Sequence, residues 1–130
     1  MKILIAAVVL LAAVPAYAHH SFAAEFDSTA CRDFTGTLTK IDWQNPHGYF
    51  YMDVKDANGE LQVWALEATS RNGLQRIGVT FDYVKPGDTV KARCHRLRDG
   101  SNGCLLGFLK ARDGTVKDWD GNNAPPPPDF

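Results

Sequence analysis

The chain has 130 residues, 45% of them hydrophobic and 22% charged, which suits one domain with a core and leaves no room for a second. Its 14 basic and 15 acidic side chains give a formal charge of -1, so the basic footprint of a nucleic-acid binder is missing.

Residues 1–18 read as a secretory signal. Lys2 supplies the positive charge, residues 3–14 are apolar, and Ala16-Tyr17-Ala18 fits the small-residue cleavage rule. The apolar run falls short of the roughly 20 residues a bilayer span needs. The expectation is a periplasmic or secreted protein, cleaved after Ala18, with no membrane span thereafter. Removing Lys2 leaves 13 basic against 15 acidic residues in the mature chain, a formal charge of -2.

Residues 19–33, HHSFAAEFDSTACRD, show no sustained period and read as an N-terminal arm lying on the domain. Phe22 and Phe26 are four apart, which suits a short helical turn pinned by both rings. Residues 34–120 are expected to form the domain, with strands over 34–43, 48–54, 61–66, 88–97 and 103–111. Between the third and fourth strands a helix is expected within 69–84. Ser70 would cap it, Leu74 and Ile77 would form its apolar side, and Lys85-Pro86-Gly87-Asp88 would stop it. Residues 121–130 include four consecutive prolines and read as an extended, disordered tail.

The second strand alternates cleanly, with Phe50, Met52 and Val54 on one face and Tyr49, Tyr51 and Asp53 on the other. Asn58-Gly59 marks the turn to the third strand. Pairing Lys55 with Glu60 would set Met52 opposite Val63 and Tyr51 opposite Trp64. The core would then receive Leu61, Val63 and Ala65, while Trp64 and Leu66 would join the tyrosines outside. The last hairpin suits a three-residue loop, Arg98-Asp99-Gly100, with Gly100 left-handed. That register puts Cys94 opposite Cys104 at disulfide distance, and their bond is expected. Cys31 is left over. Five strands with one helix between the third and fourth is the order of the OB-fold, a small antiparallel Greek-key barrel whose ligands lie on strands two and three.

HHSFAAEFD at the mature start, GTLTKIDWQNPH at residues 36–47, the segment 53–59 and KPGDTV at 85–90 resemble a family of small exported bacterial proteins known chiefly as a domain of unknown function. The resemblance covers nearly the whole mature chain and implies export and a compact β-barrel-like domain. It implies no activity and assigns no functional residues. The cysteines of the last hairpin and the Pro-rich tail depart from the family pattern.

The sharpest chemical clue is His19, which cleavage would make the first residue. A free α-amine and the same residue's imidazole chelate one metal ion, and a further imidazole completes the T-shaped nitrogen set of a histidine brace. Such nitrogen donors in a tetragonal arrangement favour Cu(II). His20 is a second local donor and His47, at the tip of the Asn45-Pro46 turn, a third. The aromatic residues Trp43, Tyr49, Tyr51 and Trp64 form a candidate stacking surface, although cross-strand aromatic pairs also serve stability alone. Glu67 reads as a solvated end-of-strand carboxylate. Signatures such as G-x-S-x-G, H-E-x-x-H or a phosphate-cradling loop are missing.

These readings converge on an exported, non-enzymatic binding module for a small ligand. The alternatives are a copper-binding protein using His19, His20 and His47, and an accessory domain held to an envelope protein by its Pro-rich tail.

Overall fold

The structure is a computed structural model that describes residues 22–130. The expected signal, His19 and His20 lie outside the described residues. The elements run α1 (Phe22–Glu25), β1 (Phe26–Asp42), β2 (Gly48–Lys55), β3 (Leu61–Ala68), α2 (Arg71–Arg76), β4 (Thr89–Leu97), β5 (Gly103–Lys110) and β6 (Val116–Asp118). The strands form one mainly antiparallel sheet in the order β3-β2-β1-β4-β5-β6, and β3 and β5 also pair in parallel over Ala65–Glu67 and Gly103–Leu105.

β1 begins earlier than expected because backbone pairing, rather than an apolar alternation, defines its first half. Arg32 pairs with Cys94 and Phe34 with Ala92 on β4, whereas Lys40 pairs with Tyr51 and Asp42 with Tyr49 on β2. Much of what read as an arm is therefore strand. β1 lies so close to β2 at Gly36 that a Cβ there would collide with the Asp53 carbonyl oxygen. The helix is much shorter than the stretch 69–84. Ser70 caps it as expected, its hydroxyl accepting from the Gly73 N–H at 3.0 Å, and Leu74 and Ile77 are buried. Gly73 weakens the helix from within, and Gly78 at φ 84° turns the chain away from it.

The β2–β3 register corrects the expected one by a single residue. Lys55 pairs with Leu61, Met52 with Trp64 and Tyr51 with Ala65. The reason lies in the turn, which spans residues 56–60. The Asp56 carboxylate accepts from the Asn58 N–H at 2.8 Å and the Glu60 N–H at 3.0 Å, holding one more residue in the loop. A slip of one residue exchanges the faces of a strand. Trp64 and Leu66 consequently enter the core at 5% and 0% exposure, while Leu61 and Val63 stand outside at 62% and 59%.

Cys94 and Cys104 are bonded, with Cα atoms 5.7 Å apart. The pairing was legible, but the register behind it differs. Residues 98–102 form the loop, Arg96 is opposite Cys104, and the bond crosses the hairpin diagonally beside an irregularity between Arg93 and Cys94. Gly100 is left-handed, at φ 79°. A sixth strand, β6, was not expected. The next residue, Trp119, is fully buried and meets Phe50 edge-on at 4.7 Å. Its N–H donates to the Gly107 carbonyl at 2.7 Å and its carbonyl accepts from the Thr69 N–H at 3.0 Å, so it ties the late chain to the end of β3. Residues 121–130, read as a tail, contain neither strand nor helix. Their last two residues nevertheless meet β4 and β5, through an Asp129–Arg93 ion pair at 2.8 Å and a Phe108–Phe130 ring contact at 6.2 Å.

Candidate functional site

The corrected register assembles a row of outward side chains across four strands. Tyr49 on β2 lies opposite Glu67 on β3, Glu67 opposite Leu105 on β5, and Leu105 opposite His95 on β4. α1 lies against this row. Phe22 stacks on Phe26 at 5.9 Å and meets the His95 ring edge-on at 5.5 Å. The Glu25 carbonyl accepts from the Arg98 N–H at 2.9 Å, fastening the end of α1 to the loop after β4. Between α1 and the row opens a cleft of about 480 Å³, with Phe22, Phe26, His47, Tyr49, Glu67 and Asp120 in its walls.

Glu67 is the polar centre of the cleft. Its carboxylate lies 3.3 Å from His47 Nδ1, and Tyr49 stands directly opposite it across the strands. Burial, and then the charge of Glu67, raise the Tyr49 phenol above its usual range. Asp120 retains exposed surface, yet it stands in a crowded wall. Burial first and the Asp118 carboxylate second push it above the usual carboxylate range, while His95 acts the other way. Glu25 is a third carboxylate on the lining, which among the described residues includes neither lysine nor arginine.

Of the residues singled out from the sequence, His47 and Tyr49 share this cleft. Tyr51 is outside it, with Lys40 Nζ 5.3 Å from its ring. Trp43 is part of a separate packing group, edge-on to Phe50 and to Phe81 at 5.2 Å each. Trp64 is turned into the core, with 5% of its surface exposed. Its ring lies 4.9 Å from Phe34 in the core, so it cannot serve as an outer stacking platform. His19 and His20 lie outside the described residues, and among the described residues no group of three His, Cys, Asp or Glu side chains is placed to hold a metal ion.

By spacing alone Glu67 is an end-of-strand carboxylate, and only the true register puts it opposite Tyr49. Asp120 carries no signal in the sequence. Its place depends on the anchoring of Trp119, a long-range contact that sequence spacing does not encode.

A model for a family of unknown function, DUF6152, matches residues 7–106. The chain belongs to this family. The DUF6152 match includes the cleft residues of α1 and of β1, β2, β3 and β5, but stops before Asp120. No curated protein and no solved structure matches the chain.

Proposed function

We propose that the protein is an exported, non-enzymatic binding module that holds a small cationic ligand with a flat apolar part between α1 and the Tyr49–Glu67 row. The observation that carries this reading is the cleft lining, where, among the described residues, aromatic rings stand beside carboxylates and neither lysine nor arginine takes part. Its volume of about 480 Å³ suits a small molecule. A cation over an aromatic face gains about 0.5–2 kcal/mol, most where water is excluded. Phe22, 40% exposed at the lip, offers such a face. The strand pairings also support an OB-like barrel, since β1, β2, β3, β5 and β4 each pair with the next and β4 returns to β1. OB-folds hold ligands on their second and third strands, which here present Tyr49 and Glu67.

Isothermal titration with benzyltrimethylammonium, against phenylacetate as the anionic comparison, tests the reading. Saturable binding of the cation alone, weakened at least tenfold by Tyr49→Ala, is the expected result. Equal affinity for both compounds, or an unchanged affinity in Tyr49→Ala, would sink it.

A second reading, copper binding by His19, His20 and His47, draws support from one contact. Glu67 engages His47 Nδ1 and leaves Nε2 facing away from it, as second-shell carboxylates do for metal-bound histidines. His20 precedes Phe22, on the same cleft, by two residues, a reach of at most about 7 Å. Cu(II) titration of the chain beginning at His19, beside a version with one extra N-terminal Ala, decides it. The chelate requires tight one-to-one binding that the extension abolishes.

A further inference from the structure

The turn end of the β2–β3 hairpin breaks the pattern of the core. Along β4 the inward positions are Val90, Ala92 and Cys94, all buried, and the next inward position is Arg96. On β1 the inward positions Leu38 and Phe34 are followed, toward the strand's start, by Arg32, which pairs with Cys94 and so shares its face. On β3 the position before Trp64 on that face is Gln62. Two guanidinium groups thus occupy places where alternation calls for apolar side chains.

Both lie on Trp64, with the Arg32 and Arg96 guanidinium carbons 5.7 Å and 5.6 Å from its ring centroid. No ion pair joins either group to a carboxylate among the described residues. Arg96 Nη2 donates to the Gly100 carbonyl at 3.3 Å, but Arg96 Nε is buried without a partner among the described residues. Lys55 adds a third cation to the rim. The nearby carboxylate, Asp56, is already committed to the Asn58 and Glu60 amides and to Gln62 Nε2. The opening they share measures about 150 Å³, several times the roughly 30 Å³ share of one water and smaller than the clefts that take drug-sized ligands.

We propose that this opening is a second binding site, for a small oxyanion held by Arg32 and Arg96 above Trp64. Guanidinium groups bind carboxylate and phosphate oxygens through paired N–H donors, and their stacking on an indole fixes the plane those donors present. Arg96 Nε is the donor still awaiting an acceptor. The site is independent of the acidic cleft and lies at the other end of the same hairpin.

The test follows the Trp64 indole N–H resonance while inorganic phosphate, or acetate in a parallel series, replaces chloride at constant ionic strength. Saturable displacement of the Trp64 signal, with those of Trp43 and Trp119 unmoved, is expected for at least one anion. Whichever anion saturates the shift identifies the phosphate or the carboxylate source. Arg32→Gln and Arg96→Gln should each weaken that binding at least tenfold. No saturable displacement in the unaltered protein by either anion overturns the proposal, whether or not the variants fold. So does an affinity that both folded variants retain.

Discussion

The two ends of the β2–β3 hairpin carry opposite charge on opposite faces. Where β2 starts and β3 ends, the outer face bears Tyr49 and Glu67, and His47 and Asp120 join them in an acidic, aromatic cleft. At the turn end the inner face bears the chemistry, and Arg32 and Arg96 crowd over Trp64. A single register decides both. Sliding β3 by one residue would turn Glu67 inward, move Trp64 out beside Tyr51, and dissolve both constellations. The difference teaches that an aromatic residue's type says little about its role until the turn that sets its face is known.

The largest expected effect tests that register directly. Trp64→Ala removes a core side chain and should cost about 3–5 kcal/mol of stability, whereas Val63→Ala, next to it but outside, should stay within about 0.5 kcal/mol. Urea denaturation of the two variants measures this, and the reverse ranking would refute the pairing.

Next in size is the cross-link beside the basic end. Replacing Cys94 and Cys104 with alanine opens a bond of sequence separation 10, and loop-closure entropy puts the loss at roughly 2–3 kcal/mol. The protein treated with reductant should show the same lowered denaturation midpoint, and a midpoint unmoved by both would mean the bond constrains nothing.

The charge contrast is sharpened by crossing substitutions between the ends. Glu67→Gln should weaken benzyltrimethylammonium binding about tenfold, or about 1.4 kcal/mol, while Arg32→Gln leaves it unchanged. Calorimetry that found the two substitutions equivalent would dissolve the distinction between the sites.

The smallest effect concerns Asp33, the neighbour of Arg32 on β1. The hydrogen bonds from Arg93 hold its carboxyl below the usual range, with the charges of Arg93 and Lys91 adding to the effect. A lowered folded-state pKa means that the contribution is complete above the ordinary value of 3.8 and disappears as pH falls through the lower folded-state value. Asp33→Asn should therefore flatten the acid limb of the stability profile below that pH. The pair is near the surface, so the change is modest. Thermal midpoints across the acid range provide the check, and an unaltered acid limb would remove Asp33 as a contributor.

Much of the molecule was legible because it depends on neighbours in the chain. Alternation located Phe50, Met52 and Val54 in the core, Ser70 announced the cap of α2, and Gly100 marked a left-handed turn. The Cys94–Cys104 bond followed from a hairpin read with the wrong loop length, since the diagonal separation in a twisted hairpin also falls within disulfide reach. The cleft was half legible. His47 and Tyr49 stood out by type and position, whereas Glu67 needed the register and Asp120 needed Trp119.

By itself, the sequence determined the chain's β-rich character, the position of its main helix and the partner of each bonded cysteine, since turn chemistry and side-chain period act over a few residues. Tertiary structure alone decided which face Trp64 takes, how far β1 extends along β4, and that β6 and Trp119 return to the end of β3. Those outcomes rest on backbone hydrogen bonds between distant strands and on the Asp56 carboxylate holding one more residue in a turn. Spacing along the chain does not encode either one.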